Sequence, residues 1–166
     1  SMSSVSVERG SSSMYNGIAG VAGGILLESV NLYKDTTSHV SLSTGSFDTY
    51  RGSVVYNMGN KNGWGLHIKA THQETAGYRD NSHNRSEAFT IKTGYKFNMN
   101  HSIDFLSMNG YHTNGQGWIG STEEELKYNK TANGCLPTED DEWFMTMNRI
   151  QYKGWLSNST LLSSSV

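Results

Sequence analysis

The residues best suited to chemistry in this chain are its six histidines and its single cysteine. His67 and His72 are the histidines closest together in sequence. They belong to an alternating stretch in which odd and even positions point to opposite faces of a strand, so they cannot bind one metal ion together. The chain also lacks a His-Glu-x-x-His motif. We therefore predict no metal site, no cofactor and no enzymatic activity.

Cys135 lies in a long polar segment that also contains two acidic runs, at 123–125 and 139–142. No histidine is placed beside the cysteine by the sequence, which favours a passive thiol over a nucleophile. The acidic runs contain oxygen ligands that calcium prefers, but their spacing matches no EF-hand. A solvated acidic loop is the favoured interpretation, with Thr122 as the N-cap of a short helical turn.

The segment 112–118 is the one most suited to ligand recognition. It supplies an imidazole, two amides and an indole within a predicted loop, from the residues His112, Asn114, Gln116 and Trp118. Amide and aromatic groups together suit sugars or metal chelates, although ordinary loops have a similar composition. We predict these four residues as candidate ligand-binding residues.

Composition limits the class of protein that the chain can be. Its 166 residues suffice for one ordinary domain, and a net charge of −2 gives no sign of a nucleic-acid surface. One cysteine excludes an intramolecular disulfide, and the single proline with 18 glycines favours strands and turns. No apolar run approaches the roughly 18 residues of a membrane helix, but membrane strands give a much weaker signal.

The clearest element is the stretch 64–73, which alternates strictly between apolar and polar residues. The apolar set is Trp64, Leu66, Ile68 and Ala70, and the polar set includes His67, Lys69 and Thr71. Its length exceeds the usual strand length of about 5–6 residues and matches the roughly 9–11 that a tilted strand needs to cross a bilayer.

Six further segments of the same kind predict an antiparallel meander of about seven strands. They lie near 39–43, 50–58, 89–97, 101–111, 143–153 and 156–166, with a turn at 153–154 and a bulge expected in 143–153. Residues 5–30 form a separate region that predicts two short strands joined by a compact Gly-rich loop, and residues 31–38 form a polar linker.

Loop lengths and aromatic residues decide how the apolar face is interpreted. Long connections at 74–87 and 112–142 alternate with short ones at 59–63, 98–100 and near 154, the asymmetry typical of a transmembrane barrel. Two aromatic bands accompany them: Tyr56, Trp64, Tyr95, Phe97, Tyr152 and Trp155 at the short turns, and Tyr50, Phe89, Tyr111 and Trp143 at the long loops. These bands favour a lipid-facing apolar surface, although alternation alone does not distinguish lipid from a protein core.

Two places resemble TonB-dependent outer-membrane receptors. The first runs from Val7-Glu8-Arg9-Gly10 through Met14-Tyr15-Asn16-Gly17 to Gly23-Gly24-Ile25, and is similar to the end of their plug domain. The residues that match this plug motif are Arg9, Gly10, Tyr15, Gly17, Gly23 and Gly24. The second, residues 46–52 with 77–82 downstream, is similar to their first barrel hairpins.

The resemblance implies the end of a plug domain and linker at 3–35 and the first strands of a large transmembrane β-barrel at 36–166. It implies an internal fragment of a receptor in the bacterial outer membrane, where TonB energises uptake of an iron chelate, cobalamin or a glycan. The partners so implied are the lipid bilayer, the small-molecule or glycan substrate, and TonB through a missing N-terminal part. Two alternatives stay open: a self-contained small outer-membrane barrel with a structural or adhesive function, and a soluble glycan-binding β-domain.

Overall fold

The computed structural model describes residues 2–9, 23–34, 36–157 and 160–166, which form two antiparallel sheets and one short helix. The first sheet pairs β1 (Met2–Arg9) with β2 (Gly23–Ser29). The second contains β3 (His39–Gly45), β4 (Thr49–Asn57), β5 (Trp64–Thr75), β6 (Asn84–Lys96), β7 (His101–Gly115), β8 (Asp140–Ser157) and β9 (Thr160–Ser165). Helix α1 (Glu123–Tyr128) lies between β7 and β8. The predicted all-β meander of seven strands is therefore confirmed.

Each strand of the large sheet pairs with its neighbours in sequence, in the order β3 to β9, and the sheet is not closed. Among the described residues, no helix is long and apolar enough to cross a membrane. The small sheet accounts for part of the plug motif, because Arg9 pairs with Gly23 and Glu8 with Gly24. Gly10, Tyr15 and Gly17 lie outside the described residues, and the domain division at residue 35 stays a prediction.

The strands are longer than the alternation predicts. β5 continues to Thr75 and β6 begins at Asn84, so the predicted loop 74–87 is reduced to 76–83. The loop predicted at 112–142 is reduced in the same way to 116–139. Both faces of the strands are polar near these loops, so the alternation of apolar and polar side chains disappears there. The main-chain hydrogen bonds continue, because strand pairing does not depend on side-chain polarity.

The prediction for β8 was wrong in two respects. The strand runs 18 residues without turning at 153–154, because Gly154 pairs with both His101 and Leu162. The expected bulge in 143–153 is absent from the β7–β8 pairing, and the register instead shifts toward β9, between Trp155 and Ser157. The alternation in β8 is irregular because Met145 and Met147 lie on the polar inner face, while Thr146 and Asn148 interrupt the apolar outer face.

The two faces of the large sheet differ in burial. The inner face carries the buried side chains Ser53, Val55, Asn57 and His67, which are 3–8 % exposed. The outer face carries Val54, Tyr56 and Trp64, which are 44–54 % exposed. Side chains opposite each other on paired strands share a face, so the strand register assigns every position of β3–β9 to one of the two.

Residues 30–34, which we call the inner strap, cover the inner face. Leu32 is 3 % exposed and lies against Gly65, where a β-carbon would come within 2.9 Å of the leucine β-carbon. Further along the linker, the carbonyl oxygen of Thr37 accepts a 2.6 Å hydrogen bond from Asn57, whose side-chain oxygen lies 2.5 Å from Nδ1 of His67. The segment predicted as a polar linker is therefore packed against β4 and β5.

Polar contacts hold the rest of the inner strap. The Tyr33 hydroxyl donates to the Asp104 carboxylate at 2.6 Å, and Lys92 Nζ donates to the Val30 carbonyl at 3.0 Å. The Lys96 ammonium lies 4.3 Å from the centre of the Tyr33 ring, within cation–π range. Burial, aided by the Asp104 hydrogen bond, raises the pKa of Tyr33 well above its usual range, so the hydroxyl stays a donor.

Charge is divided unequally between the two faces of β4–β8. The inner face carries Arg51, Lys69, Lys92, Lys96, Asp104, Asp141, Arg149 and Lys153. On the outer face, charged residues lie only near the loops 76–83 and 116–139, where Arg85 contacts Glu87 at 2.6 Å. From the row of Val54 and Ala70 to the row of Trp64 and Tyr95, these strands carry no charged residue on the outer face.

Candidate functional site

The candidate site lies on the inner face next to the long loops. One row of side chains crosses five strands there, in the order Arg51, Gln73, Ser86, His112 and Trp143. The next row toward the loops contains Thr75, Asn84, Asn114 and Asp141. The site therefore offers a guanidinium, amides, hydroxyls, an imidazole and an indole on one surface.

Short contacts hold the centre of the site together. The Ser86 hydroxyl lies 2.7 Å from Nδ1 of His112, and the Asn84 amide lies 3.4 Å from its Nε2. The same Asn84 amide donates to the side-chain oxygen of Asn114 at 3.3 Å. Because both ring nitrogens of His112 have neighbours, its imidazole has a fixed orientation.

The predicted residues His112 and Asn114 are thus brought together, but on β7 and not in a loop, so the loop prediction was wrong for 112–115. Gln116 begins the loop, where its main chain bonds the Glu139 carbonyl at 3.0 Å. Trp118 is 75 % exposed further out in the same loop. The structure thus groups two of the four candidates.

Sequence reasoning missed Asn84, Ser86 and Trp143, which come from other strands. Trp143 was assigned to an outer aromatic band, but the register places it on the inner face beside His112. Its indole nitrogen donates to Asp141 at 2.6 Å and the residue is 63 % exposed. Only the pairing register, which the sequence does not give, brings these residues to two neighbouring rows.

The two long loops are joined through Asp80. Its carboxylate accepts hydrogen bonds of 2.8 Å from the Thr131 hydroxyl and of 2.8 Å from the Asn129 amide. Its main-chain N–H donates to the Thr131 carbonyl at 2.8 Å, and its carbonyl accepts from Asn133 at 2.7 Å. The side-chain bonds lower the pKa of Asp80, the Thr131 bond most, so the carboxylate stays ionised.

Helix α1 gives the longer loop its internal order. Thr122 and Glu125 form a capping box, in which the Thr122 hydroxyl accepts from the Glu125 N–H at 3.3 Å and the Glu125 carboxylate accepts from the Thr122 N–H at 2.8 Å. The predicted Thr122 cap is confirmed. Cys135, further along the same loop, is 5 % exposed, and its main-chain N–H donates to the side-chain oxygen of Asn133.

Replacing Asp80 with asparagine is expected to loosen the 116–139 loop. The amide keeps one acceptor for Thr131 but presents N–H groups to the Asn129 amide, so that donor loses its partner. We expect faster cleavage by trypsin at Lys127 and Lys130 in the variant than in the unchanged protein. Glu124→Gln, at an exposed carboxylate of the same loop, is the control and should leave the cleavage rate unchanged.

Acid should have the same effect as this substitution. Because the folded pKa of Asp80 lies below its ordinary value of about 3.9, its stabilising effect is present above that value. It is lost as the pH falls through the folded pKa. Trypsin is inactive in acid, so pepsin cleavage of the loop is the measurement. Equal acid sensitivity in Asp80→Asn and the unchanged protein would contradict the assignment.

No group of three or more histidine, cysteine, aspartate or glutamate side chains in the described part of the chain is placed to hold a metal ion. His67 and His72 lie on opposite faces of β5, as the alternation predicts, and His72 lies 3.4 Å from Glu87 on the outer face. The candidate site consists of hydrogen-bonding and aromatic groups together with the charged side chains of Arg51 and Asp141.

Comparison of the fold with solved structures identifies what it resembles. The ferric-catecholate import receptor Fiu of E. coli K12 superposes on 97 % of the chain with a TM-score of 0.78 at 14 % identity. FpvAI, in its complex with pyocin S2, covers 97 % with a TM-score of 0.77 at 14 % identity. The ferripyoverdine receptor of the Pseudomonas aeruginosa outer membrane covers 90 % with a TM-score of 0.72 at 12 % identity.

The fold is that of a TonB-dependent receptor. The chain spans only 27 %, 23 % and 21 % of the lengths of these three receptors. No protein-family model and no curated protein matches its sequence. Because the superposition on Fiu covers 97 % of the chain, it includes both the meander β3–β9 and the small sheet β1–β2. The resemblance drawn from residues 7–25 and 46–52 is confirmed at the level of fold.

Proposed function

We propose that the chain is part of a bacterial outer-membrane receptor that imports a scarce nutrient with energy supplied through TonB. The observation that carries this proposal is the superposition of 97 % of the chain on an import receptor at a TM-score of 0.78. Contact of the complete protein with TonB is part of this proposal. No catalytic step is part of the proposal.

The division of charge between the faces supports a membrane location. A strand of a transmembrane barrel presents apolar residues to lipid and polar residues to the interior. The outer face of β4–β8 has the required charge-free band, and the inner face carries the cations and the candidate site. In this orientation Trp64, Leu66, Ile68 and Ala70 face lipid, and His67, Lys69 and Thr71 face the interior.

Among the substrate classes, an iron chelate is the one we propose. Two of the structurally similar proteins are a ferric-catecholate import receptor and a ferripyoverdine receptor. Chelates of ferric iron with oxygen ligands are often anionic, and six cations against two carboxylates line the inner face of β4–β8. A glycan or cobalamin would gain less from that charge.

Uptake measurements test this function directly. Cells that carry the complete gene should accumulate radioactive iron from its chelate, and cells from which the gene is deleted should not. Growth of the same strains is compared with a glycan as the sole carbon source and with cobalamin as the sole supply of that vitamin. Growth that depends on the gene only with a glycan or cobalamin would rule out the iron chelate while retaining import.

His112→Ala is expected to weaken substrate capture. The substitution removes the imidazole that holds the Ser86 hydroxyl and the Asn84 amide in place. Loss of one oriented hydrogen bond of about 0.5–1.5 kcal/mol corresponds to roughly 2- to 12-fold in affinity. The half-saturation concentration for uptake should rise by that factor. His101→Ala, at a histidine that contacts Tyr152 away from the site, is the matched control. An unchanged half-saturation concentration in His112→Ala would remove this residue from the site.

A further inference from the structure

A group of cations borders a cavity at the end of the inner face that is away from the candidate site. This cationic pocket of about 560 Å³ is lined by the inner strap and by strands β6–β8. Among the described residues that line it, the charged ones are Lys92 and Lys96 on β6, Asp104 on β7, and Arg149 and Lys153 on β8. Four cations against one carboxylate give the pocket a strong positive charge.

The strand register places these cations on both sides of Asp104. Lys92 shares a row with Arg149 and Lys96 shares one with Lys153, while Asp104 lies in the row between. Neighbouring strands are about 4.8 Å apart, so cations of β6 and β8 in one row are separated by about 10 Å at the backbone. Lysine and arginine side chains are long enough to contact one ligand from both sides across such a distance.

The single carboxylate does not compensate this charge. Asp104 accepts the hydrogen bond of the Tyr33 hydroxyl at 2.6 Å, and the Lys96 ammonium lies against the Tyr33 ring. Within the described part of the chain, the side chains of Arg149 and Lys153 form no hydrogen bond and no ion pair. Like charges gathered in this way repel one another, and an anion bound among them offsets that repulsion.

The pocket is separate from the candidate site. On β6, Lys92 follows Ser86 by six residues, which corresponds to about 20 Å along the strand. The two rows between them on β6–β8 carry no charge and consist of Thr90, Met108 and Met147 and of Ala88, Gly110 and Met145. In a transmembrane barrel the short turns lie on the periplasmic side. The pocket adjoins the short turn 97–100 and therefore lies on the periplasmic side of the candidate site.

We infer that the cationic pocket is a second binding site for the imported anion, occupied after the candidate site. This inference rests on the proposed function. Phenolate and carboxylate oxygens of an iron chelate accept charge-assisted hydrogen bonds from lysine and arginine, which are about twice as strong as neutral ones. The cavity volume lies within the roughly 300–1,000 Å³ of small-molecule sites. The charge of the pocket then draws the chelate across the uncharged rows toward the periplasm.

Labelling with an anionic aldehyde tests the pocket without reference to the substrate. Pyridoxal phosphate condenses with a lysine amine to an imine and water, and borohydride reduces the imine to a stable adduct that mass spectrometry locates. In the purified complete receptor, we expect it to label Lys153 at least tenfold faster than pyridoxal, which lacks the phosphate. Lys61, exposed in the short turn 58–63, should show no such preference. Arg149→Gln should reduce the preference at Lys153, and equal preferences at residues 61 and 153 would overturn the inference.

A pair of substitutions tests the role of the pocket in import. Arg149→Gln with Lys153→Gln removes both cations of β8. Capture, measured as binding of a radioactive ferric tris-catecholate to cells de-energised with a protonophore, should stay unchanged. The maximum rate of uptake by energised cells should fall about fivefold, since two ion pairs to the passing anion are lost. Arg149→Lys with Lys153→Arg keeps both charges and is the matched control, which should retain the rate.

An unchanged uptake rate in the glutamine variant, or an equal loss of capture and uptake, would overturn the inference. A lower unfolding temperature of the substrate-free glutamine variant, with no change in the matched control, would also overturn it, because acidic groups of the receptor itself would then fill the pocket. Preferential labelling of Lys153 in a receptor that imports no iron would contradict only the choice of an iron chelate, since the labelling does not depend on import.

Discussion

Ile68→Lys is expected to prevent assembly of the receptor in the outer membrane. Ile68 lies on the outer face between Tyr56 and Ile91, at the centre of the charge-free band. A lysine at the midplane of a transmembrane barrel costs about 2–4 kcal/mol. We expect the variant to be lost from the SDS-resistant, folded form that barrels show in electrophoresis of unheated samples.

The matched control is Thr71→Lys on the same strand. Thr71 lies on the inner face, where lysines already occur, so the same charge three residues away should be tolerated. If Ile68→Lys assembled as well as Thr71→Lys, the outer face would not be in contact with lipid.

Gly65→Val is expected to displace the inner strap. A β-carbon at residue 65 would lie 2.9 Å from both the β-carbon and the carbonyl oxygen of Leu32, and the backbone contact cannot be relieved by a rotamer change. Overpacking of this kind costs about 1–3 kcal/mol. We expect a lower unfolding temperature and new trypsin cleavage after Lys34.

Gly52→Val provides the comparison, because a β-carbon there meets only a terminal methyl carbon of Leu42, at 3.5 Å. This variant should retain the unfolding temperature and the cleavage pattern of the unchanged protein. If the inner strap of Gly65→Val stayed protected from trypsin, the packing of Leu32 would not require a glycine at residue 65.

The alternation at 64–73 was sufficient to predict a strand and to assign its two faces, because period-two patterning is a property of the strand itself. The ends of the strands could not be predicted from this pattern. Glu74, Arg85 and Glu142 continue the outer face with charged residues, so the pattern that predicts the strand disappears while the pairing persists. Only the ladder of main-chain hydrogen bonds extends these strands to their ends.

The sequence predicted the kind of chemical groups in the candidate site but not all of the residues that form it. His112 and Asn114 were recognisable as polar groups close together in sequence. Ser86 and Trp143 reach the same row through pairing across β6, β7 and β8, and nothing local in the sequence fixes that register. Trp143 also shows why composition misleads, since an aromatic residue near a strand end is equally compatible with either face.

The inner strap has a mechanical consequence. Tension applied to the chain before residue 30 would reach the large sheet through the strap contacts in chain order, first Lys92 on the Val30 carbonyl, then Leu32 on Gly65, then Tyr33 on Asp104. Contacts arranged in this order bear a pull one at a time and not together. We therefore expect these contacts to break in this order under such a pull, before the pairing of β3–β9 is disturbed.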